Sequence, residues 1–227
     1  MRLSLALALM LLTVSLLTVS PDLLAQTRVF VSRSGSDHNS CSIVTPCRTF
    51  QRAHDVVADN GEIVPLNSAG YGPVVISKSV SITAPDGVYV GITPPDGHGV
   101  HVLGEGIVVY LKGLTIHGNW APESVGIYME RGARLVVDRC RVSHFDAGIS
   151  VQTGTHQPVL VVQDCVLDEN RDSGIVSLNP LSTVTILRCT VTGGRNGLLN
   201  YGGAWNIQDT LVKGVTSSGL LGSTAAG

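Results

Sequence analysis

The side chains of this chain that could take part in chemistry are concentrated in three short polar segments of its second half. The segments are SHFDAG at 143–148, LDENRDSG at 167–174 and GGRNG at 193–197. Their charged and histidine residues are His144, Asp146, Asp168, Glu169, Arg171, Asp172 and Arg195. Such groups can coordinate a cation or form hydrogen bonds with sugar hydroxyls, so we treat them as a candidate ligand-binding set. The alternative is that they are solvated turn residues.

A sequence repeat positions these segments. The glycines that begin the repeat units are Gly99, Gly126, Gly148, Gly174, Gly197 and Gly219, at spacings of 27, 22, 26, 23 and 22 residues. Such a period is typical of a solenoid. Motifs of the form LxVxxCxV, as in Leu135–Val142, alternate with period two around a corner. With one more short strand after each glycine, the pattern predicts three strands per coil, about seven coils of parallel β-helix, and polar insertions in the turns.

The three cysteines of the repeat are predicted to point inward. Residues in the same register form one column, which consists of Leu114, Cys140, Cys165, Cys189 and Thr210. In-register stacking keeps neighbouring Cβ atoms about 4.8 Å apart, which is too far for an unstrained disulfide. We interpret these cysteines as buried thiols that fill space like small apolar residues, and a linear column does not offer a tetrahedral metal site.

The corner before each inward cysteine carries a charge that alternates in sign. The corner residues are Arg139, Asp164, Arg188 and Asp209. Opposite charges then lie above one another at each coil step, and a slip by one coil would bring like charges together. We interpret this alternation as structural.

The first 25 residues have the composition of a secretory signal peptide. One basic residue, Arg2, precedes an apolar stretch that runs from Leu3 to about Val19. Small residues then predict cleavage after Ala25. An uncleaved membrane anchor is the alternative, but the stretch is short and interrupted by Ser and Thr. We expect a secreted, periplasmic or cell-surface protein that has no membrane contact after cleavage.

Residues 26–60 differ from the repeat and predict a cap on the first coil. A strand at Val29–Val31 is followed by a polar loop with Cys41 and Cys47. An exported protein permits a disulfide between these two cysteines, and two free thiols are the alternative. Thr45 and Pro46 predict the start of an amphipathic helix whose apolar face holds Phe50, Ala53, Val56 and Val57, and Asn60–Gly61 predicts its end.

Three segments of the chain resemble a known family. They are VFVSRSGSDHN, PCRTFQRAHDVVADNGEIVPL and GYGPVVISKSVSI. Together with the later GIxV and LxVxxCxV units, they are similar to secreted bacterial right-handed parallel β-helix proteins of the pectin-lyase-like superfamily. The resemblance covers Thr27 to Gly227 and looks closest to exported members with no known activity. It implies an all-β, right-handed parallel β-helix with an N-terminal strand–helix cap.

The resemblance also implies where an enzyme of this superfamily would carry its groups. Its polysaccharide lyases hold Ca²⁺ with outward acidic residues and use Lys or Arg as the base, whereas its hydrolases use a cluster of Asp. The usual groove follows the strand after the repeat glycine. In this chain the outward residues of that strand are His101, Tyr128, Ser150, Val176 and Leu199. None is a carboxylate, so we assign no catalytic residue and no metal ligand.

These observations predict three parts: a signal peptide at 1–25, a cap at 26–60 and coils at 61–227. The net charge of −2 argues against nucleic acid as a partner. We expect exported binding or surface scaffolding toward extracellular or cell-envelope polysaccharide, without a cofactor. The alternative is a lyase or glycoside hydrolase whose catalytic part is incomplete, with Ca²⁺ needed only in that case.

The end of the chain adds one expectation. The last ten residues, SGLLGSTAAG, contain no capping helix. Solenoids need terminal caps. We therefore expect either further coils after Gly227 or end-to-end self-association through the last coil.

Overall fold

The computed structural model describes residues 26–222, which fold as a right-handed parallel β-helix with one short helix near the N-terminus. The predicted fold class is therefore confirmed. The predicted signal peptide with its cleavage site after Ala25, and residues 223–227, lie outside the described residues. In the described part of the chain, no helix has the length and apolar character needed to cross a membrane.

Three parallel sheets form the sides of the solenoid. The first sheet has eight strands: β1 (Gln26–Val31), β2 (Val57–Pro65), β5 (Val80–Thr83), β8 (Val108–Lys112), β11 (Arg134–Asp138), β14 (Val159–Gln163), β17 (Thr183–Leu187) and β20 (Ala204–Gln208). The second has seven: β3 (Ala69–Gly70), β6 (Val90–Ile92), β9 (Leu114–His117), β12 (Arg141–Ser143), β15 (Val166–Asp168), β18 (Thr190–Thr192) and β21 (Leu211–Lys213). The third also has seven: β4 (Val74–Ile76), β7 (Val100–Val102), β10 (Val125–Met129), β13 (Ala147–Val151), β16 (Ser173–Ser177), β19 (Asn196–Asn200) and β22 (Ser218–Gly222).

Each coil contributes one strand to each sheet, and each strand pairs in register with its equivalent in the next coil. Leu135 pairs with Leu160, for example, and Ile149 pairs with Ile175. The inward column after the repeat glycines is at most 1 % exposed at Val100, Ile127, Ile149, Ile175 and Leu198. In the last described coil, Leu220 is 60 % exposed. The self-association expected through this coil stays a prediction.

The repeat glycines are required because the backbones of successive coils approach closely at the start of the third sheet. A Cβ atom on Gly126 would lie 2.7 Å from the carbonyl oxygen of Gly148 in the next coil, and still closer to the side chain of Val142. The backbone angles of Gly126 are ordinary, so the constraint at this position is space rather than conformation.

The corner between the first and second sheets is made by a single residue in the left-handed region. Arg139, Asp164, Arg188 and Asp209 have φ between 49° and 53°, and the equivalent Gly113 has φ 71°. This residue turns the chain so that the following cysteine faces the interior again. The guanidinium of Arg188 donates two hydrogen bonds of 2.7 Å to Asp164 in the preceding coil.

The cysteine column is buried as predicted, but it does more than fill space. The backbone N–H of Cys140 donates to Sγ of Cys165 at 3.3 Å, and that thiol donates to the carbonyl of Gln163 at 3.1 Å. Thr210 has the same pattern, since its hydroxyl accepts from the N–H of Cys189 and donates to the carbonyl of Gln208. From Cys140 to Thr210 the column therefore holds small side chains that can both accept and donate a hydrogen bond, whereas Leu114 at its start is apolar.

The N-terminal cap contains the predicted disulfide between Cys41 and Cys47. The helix, α1, spans Phe50–Val56, so the predicted bounds were wrong at both ends. It begins later because Cys47 is held in extended conformation beside β1, where its N–H donates to the carbonyl of Phe30. It ends earlier because Val57 is already the first residue of β2.

The N-terminus of α1 is fixed by two side chains. Thr49 is the N-cap, and its hydroxyl accepts from the N–H of Arg52 at 3.2 Å. The carboxylate of Asp37, in the polar loop, accepts from the N–H groups of Arg48 and Thr49 at 2.8 and 2.9 Å. Burial would raise the pKa of Asp37, but these backbone hydrogen bonds outweigh it and hold the pKa below its usual value. The buried face of α1, with Phe50 and Ala53, then joins the core of the first coil.

The assigned faces can be tested with adjacent residues of β15. Leu167 is fully buried and Val166 is 37 % exposed. We expect Leu167→Asp to prevent folding, because an unpaired buried charge costs several kcal/mol of a total stability of about 5–15 kcal/mol. The control Val166→Asp should change the free energy of unfolding by about 1 kcal/mol or less. Equal denaturation midpoints by circular dichroism would show that the assigned faces are wrong.

The hydrogen-bonding role of the cysteine column can be tested at Cys165. We expect Cys165→Ala to lower the free energy of unfolding by about 1–3 kcal/mol, because it leaves the buried N–H of Cys140 without an acceptor. Cys165→Ser keeps an acceptor and a donor, and should be the more stable of the two variants. Urea denaturation of both variants measures the difference. If the alanine variant is as stable as the serine variant, the thiol acts only as an apolar filler.

Candidate functional site

The candidate site lies on the turns between the second and third sheets. These turns stack because their backbones continue the hydrogen bonding of the sheets: the N–H of Arg171 donates to the carbonyl of Phe145, and that of Arg195 donates to the carbonyl of Arg171. The turn residues of successive coils therefore form one file parallel to the solenoid axis. We call this surface the turn file, and its residues are 118–124, 144–146, 169–172, 193–195 and 214–217.

Two buried residues hold the turns that carry most of the candidate side chains. The ring of Phe145 is fully buried. In the next coil, the amide of Asn170 accepts from the N–H of Phe145 and donates to the carbonyl of Val142, at 3.3 and 3.2 Å. With these residues facing inward, their neighbours are directed toward solvent. His144 and Glu169 begin the two turns in the left-handed region, at φ 66° and 53°.

The structure pairs most of the predicted residues across coil boundaries. His144 Nε2 lies 3.1 Å from a carboxylate oxygen of Glu169, and Arg171 Nη1 lies 2.9 Å from a carboxylate oxygen of Asp146. The pair of Arg195 and Asp172 is looser, at 3.9 Å. In-register stacking thus brings these six residues together. That these residues bind a ligand stays a prediction.

Asp168 does not belong to the turn. It is the last residue of β15, it is 9 % exposed, and one of its oxygens lies 2.5 Å from Nη2 of Arg141. The strand is one residue longer than the sequence pattern indicated, because Asp168 pairs in register with Ser143 and Thr192. Asp168 therefore belongs to the second sheet beside the turns and has little contact with solvent.

Trp120 is the functional candidate that the sequence reasoning missed. It lies in the loop at 118–124, and 40 % of its surface is exposed. Its ring meets the ring of His144 at 4.7 Å between centroids, and the guanidinium carbon of Arg171 lies 6.0 Å from its centre. Arg171 also donates to the carbonyl oxygen of Trp120 at 2.5 Å. The signal was present in the sequence, because the unit from Gly99 to Gly126 is the longest and contains one of only two tryptophans.

The imidazole of His117 extends this cluster on the side of the second sheet. Its ring lies 4.3 Å from that of His144, and its Nδ1 is 3.1 Å from the hydroxyl of Ser143. Burial and then the neighbouring His144 lower the pKa of His117. The neutral form is therefore favoured. A neutral imidazole has both a donor and an acceptor, which suits hydroxyl groups better than ions.

The outer face of the third sheet differs from expectation in its second half. Val176 and Leu199 point outward, yet they are 8 % and 4 % exposed, because they pack with Ala147 and Val125 in a second apolar cluster. Ser150, in the same column, is also buried. This part of the expected groove is therefore closed to a ligand.

In its first half, this face carries an aromatic and histidine cluster. His98 stacks on Tyr128 at 4.3 Å between centroids, and its Nδ1 accepts from the N–H of Val125. His101 Nε2 lies 2.8 Å from an oxygen of Glu130, which follows β10. Among residues 26–222, Glu130 is the one carboxylate that is hydrogen-bonded to an outward residue of the third sheet. A calcium ion there would lack the several oxygen ligands it needs, so these residues do not fit Ca²⁺.

The groups in the turn file are capable of ring stacking and hydrogen bonding. A half-exposed indole can stack on a sugar ring, and the surrounding guanidinium, imidazole and carboxylate groups can exchange hydrogen bonds with hydroxyls. Among the described residues, no group of three or more His, Cys, Asp or Glu side chains is arranged to hold a metal ion.

The support that Arg171 gives to Trp120 can be tested by fluorescence. In a Trp205→Phe background, Trp120 is the sole tryptophan. We expect Arg171→Ala to shift its emission to the red and lower its anisotropy, because the loop loses its bond to the Trp120 carbonyl. The free energy of unfolding should change by no more than about 1 kcal/mol, since the side chain of Arg171, which pairs with Asp146, is half exposed. Arg195→Ala, which leaves that bond intact, is the control, and an equal shift in both variants would contradict this geometry.

Comparisons with known proteins agree with the fold. The solved structure of pectate lyase Pel9A matches with a TM-score of 0.56 and 13 % sequence identity, over 82 % of this chain. The chain spans 62 % of that lyase chain, so the likeness concerns the fold alone. A search of curated protein sequences gave no significant match. Residues 66–210, more than half of the chain, match the family described as the right handed beta helix region, and the chain belongs to this family.

Proposed function

We propose that this protein is an exported, non-catalytic β-helix protein that binds extracellular or cell-envelope polysaccharide through the turn file. The observation that carries the proposal is the half-exposed ring of Trp120, held between His144 and Arg171. Aromatic rings that are fixed in place and half exposed contribute strongly to recognition, because little conformational entropy is lost on binding.

The shape of the surface favours a polymer over a single sugar. Trp120, His144, Arg171 and Arg195 come from four successive coils, so they lie in one file parallel to the solenoid axis. Stacked strands are about 4.8 Å apart, and a linear chain laid along the file can contact several of these groups at once. Many weak contacts along one chain then add to a useful affinity.

The alternative function, a polysaccharide lyase or glycoside hydrolase, is less well supported. Glycoside hydrolysis needs two carboxylates on either side of the scissile bond. On the outer face of the third sheet, the hydrogen bonds of the described residues involve one carboxylate, that of Glu130. This carboxylate is already paired with the imidazole of His101. The disulfide in the cap is consistent with export, because such bonds persist in oxidising compartments.

Binding to a polysaccharide panel tests the proposal directly. We expect Trp120→Ala to weaken binding by about tenfold or more, since one stacked ring is worth about 1.4 kcal/mol. Tyr89→Ala is the matched control, because Tyr89 is 54 % exposed and lies in the loop between β5 and β6, outside the turn file. Affinity electrophoresis or calorimetry on both variants gives the comparison.

The same panel separates binding from catalysis. Each polymer is incubated with and without Ca²⁺, and unsaturated products and reducing ends are measured. We expect no turnover in either condition. Product formation would support the lyase or hydrolase alternative, and binding that is unaffected by Trp120→Ala would place the site elsewhere.

A further inference from the structure

The charges around Trp120 constrain the kind of polysaccharide that fits. The turn file carries four carboxylates, those of Glu123, Asp146, Glu169 and Asp172. Against them stand two guanidinium groups, those of Arg171 and Arg195. Among these carboxylate and guanidinium groups, the negative charges exceed the positive charges by two.

One of the two guanidinium groups, that of Arg171, is also engaged within the protein. Arg171 contacts both the carboxylate of Asp146 and the carbonyl of Trp120. The side chain of Arg195 is 71 % exposed, and it lies 3.9 Å from a carboxylate oxygen of Asp172, which is too far for a hydrogen bond. Recognition of a carboxylate usually relies on a guanidinium free to form two parallel hydrogen bonds. The guanidinium of Arg171, next to Trp120, is already bonded to the carboxylate of Asp146 and the carbonyl of Trp120.

Two of the four carboxylates have no guanidinium partner among the described residues. The side chain of Glu169 is 64 % exposed, and its partner is the imidazole of His144. Glu123, in the Trp120 loop, is exposed as well, and its N–H donates to Asp146. Carboxylates accept hydrogen bonds from sugar hydroxyls, whereas a uronic acid brought to the same place would be repelled.

We infer that the ligand of the turn file is an uncharged polysaccharide, which stacks on Trp120 and donates hydroxyl hydrogen bonds to the carboxylates around it. The inference rests on the proposed function and narrows it to one class of polymer. Because no ligand charge takes part, the affinity should change less than about twofold between low and moderately high salt.

One polymer in two charge states provides the test. A polyuronate and its carboxyl-reduced form have the same backbone but differ in charge. At neutral pH we expect the protein to bind the reduced form, and to bind the native form at least about tenfold more weakly, with or without Ca²⁺. Equal or tighter binding of the native polyuronate would overturn the inference.

Variants separate this inference from the proposed function. The double change Glu169→Gln and Asp172→Asn removes the excess negative charge and should improve binding of the native polyuronate by about fivefold. Asp86→Asn is the control, since the side chain of Asp86 is 96 % exposed and lies outside the turn file. If the native polyuronate binds best and Trp120→Ala abolishes that binding, the charge inference fails while the proposed function stands. If no polymer shows binding that depends on Trp120, both fail.

Discussion

Every part of this structure depends on the parallel, in-register stacking of one coil on the next. Parallel strands satisfy their backbone groups only through neighbouring strands, so each coil is stable because the coils beside it supply its hydrogen bonds. Register is strict because a shift by one residue would move the inward column to the solvent face. This explains why insertions occur in turns, as in the loop at 118–124, and why equivalent strands keep their length from β10 onward.

The same stacking imposes local demands that select residue types. At the start of the third sheet, the next coil's carbonyl oxygen leaves no room for a Cβ, so glycine recurs there. At the corner after the first sheet, one residue must adopt a left-handed conformation, and Arg or Asp do so in this chain. Just beyond that corner, Cys and Thr recur because a buried N–H needs an acceptor that is small enough to fit inside the coil. Hydrogen bonding with Cys165 and then burial raise the pKa of the Cys189 thiol, which therefore stays protonated and able to donate.

Stacking also accounts for the candidate site. Residues that are about 25 positions apart in the chain become neighbours, which is how Asp146 meets Arg171 and how His144 meets Glu169. The two guanidinium groups offset only part of the negative charge on this surface. What remains distinctive is an exposed indole in a chain that has only 4 % aromatic residues. Under the proposed function, the stacked coils hold this ring in place for a polymer laid along the turn file.

The sequence by itself determined the repeat, the period-two alternation, the inward columns and the disulfide, because each follows from residue types at short or regular spacing. It placed the start of α1 four residues early, since it could not show that Cys47 is held beside β1. It placed Val176 and Leu199 among the outward residues of the third sheet, but it could not show that packing on that face buries them. Only the tertiary structure decided the importance of Trp120, because the ring gains its partners, His144 and Arg171, from two other coils. Local pattern fixes which way a side chain points, but the neighbours that orient it, screen it or cover it are set by how the coils stack.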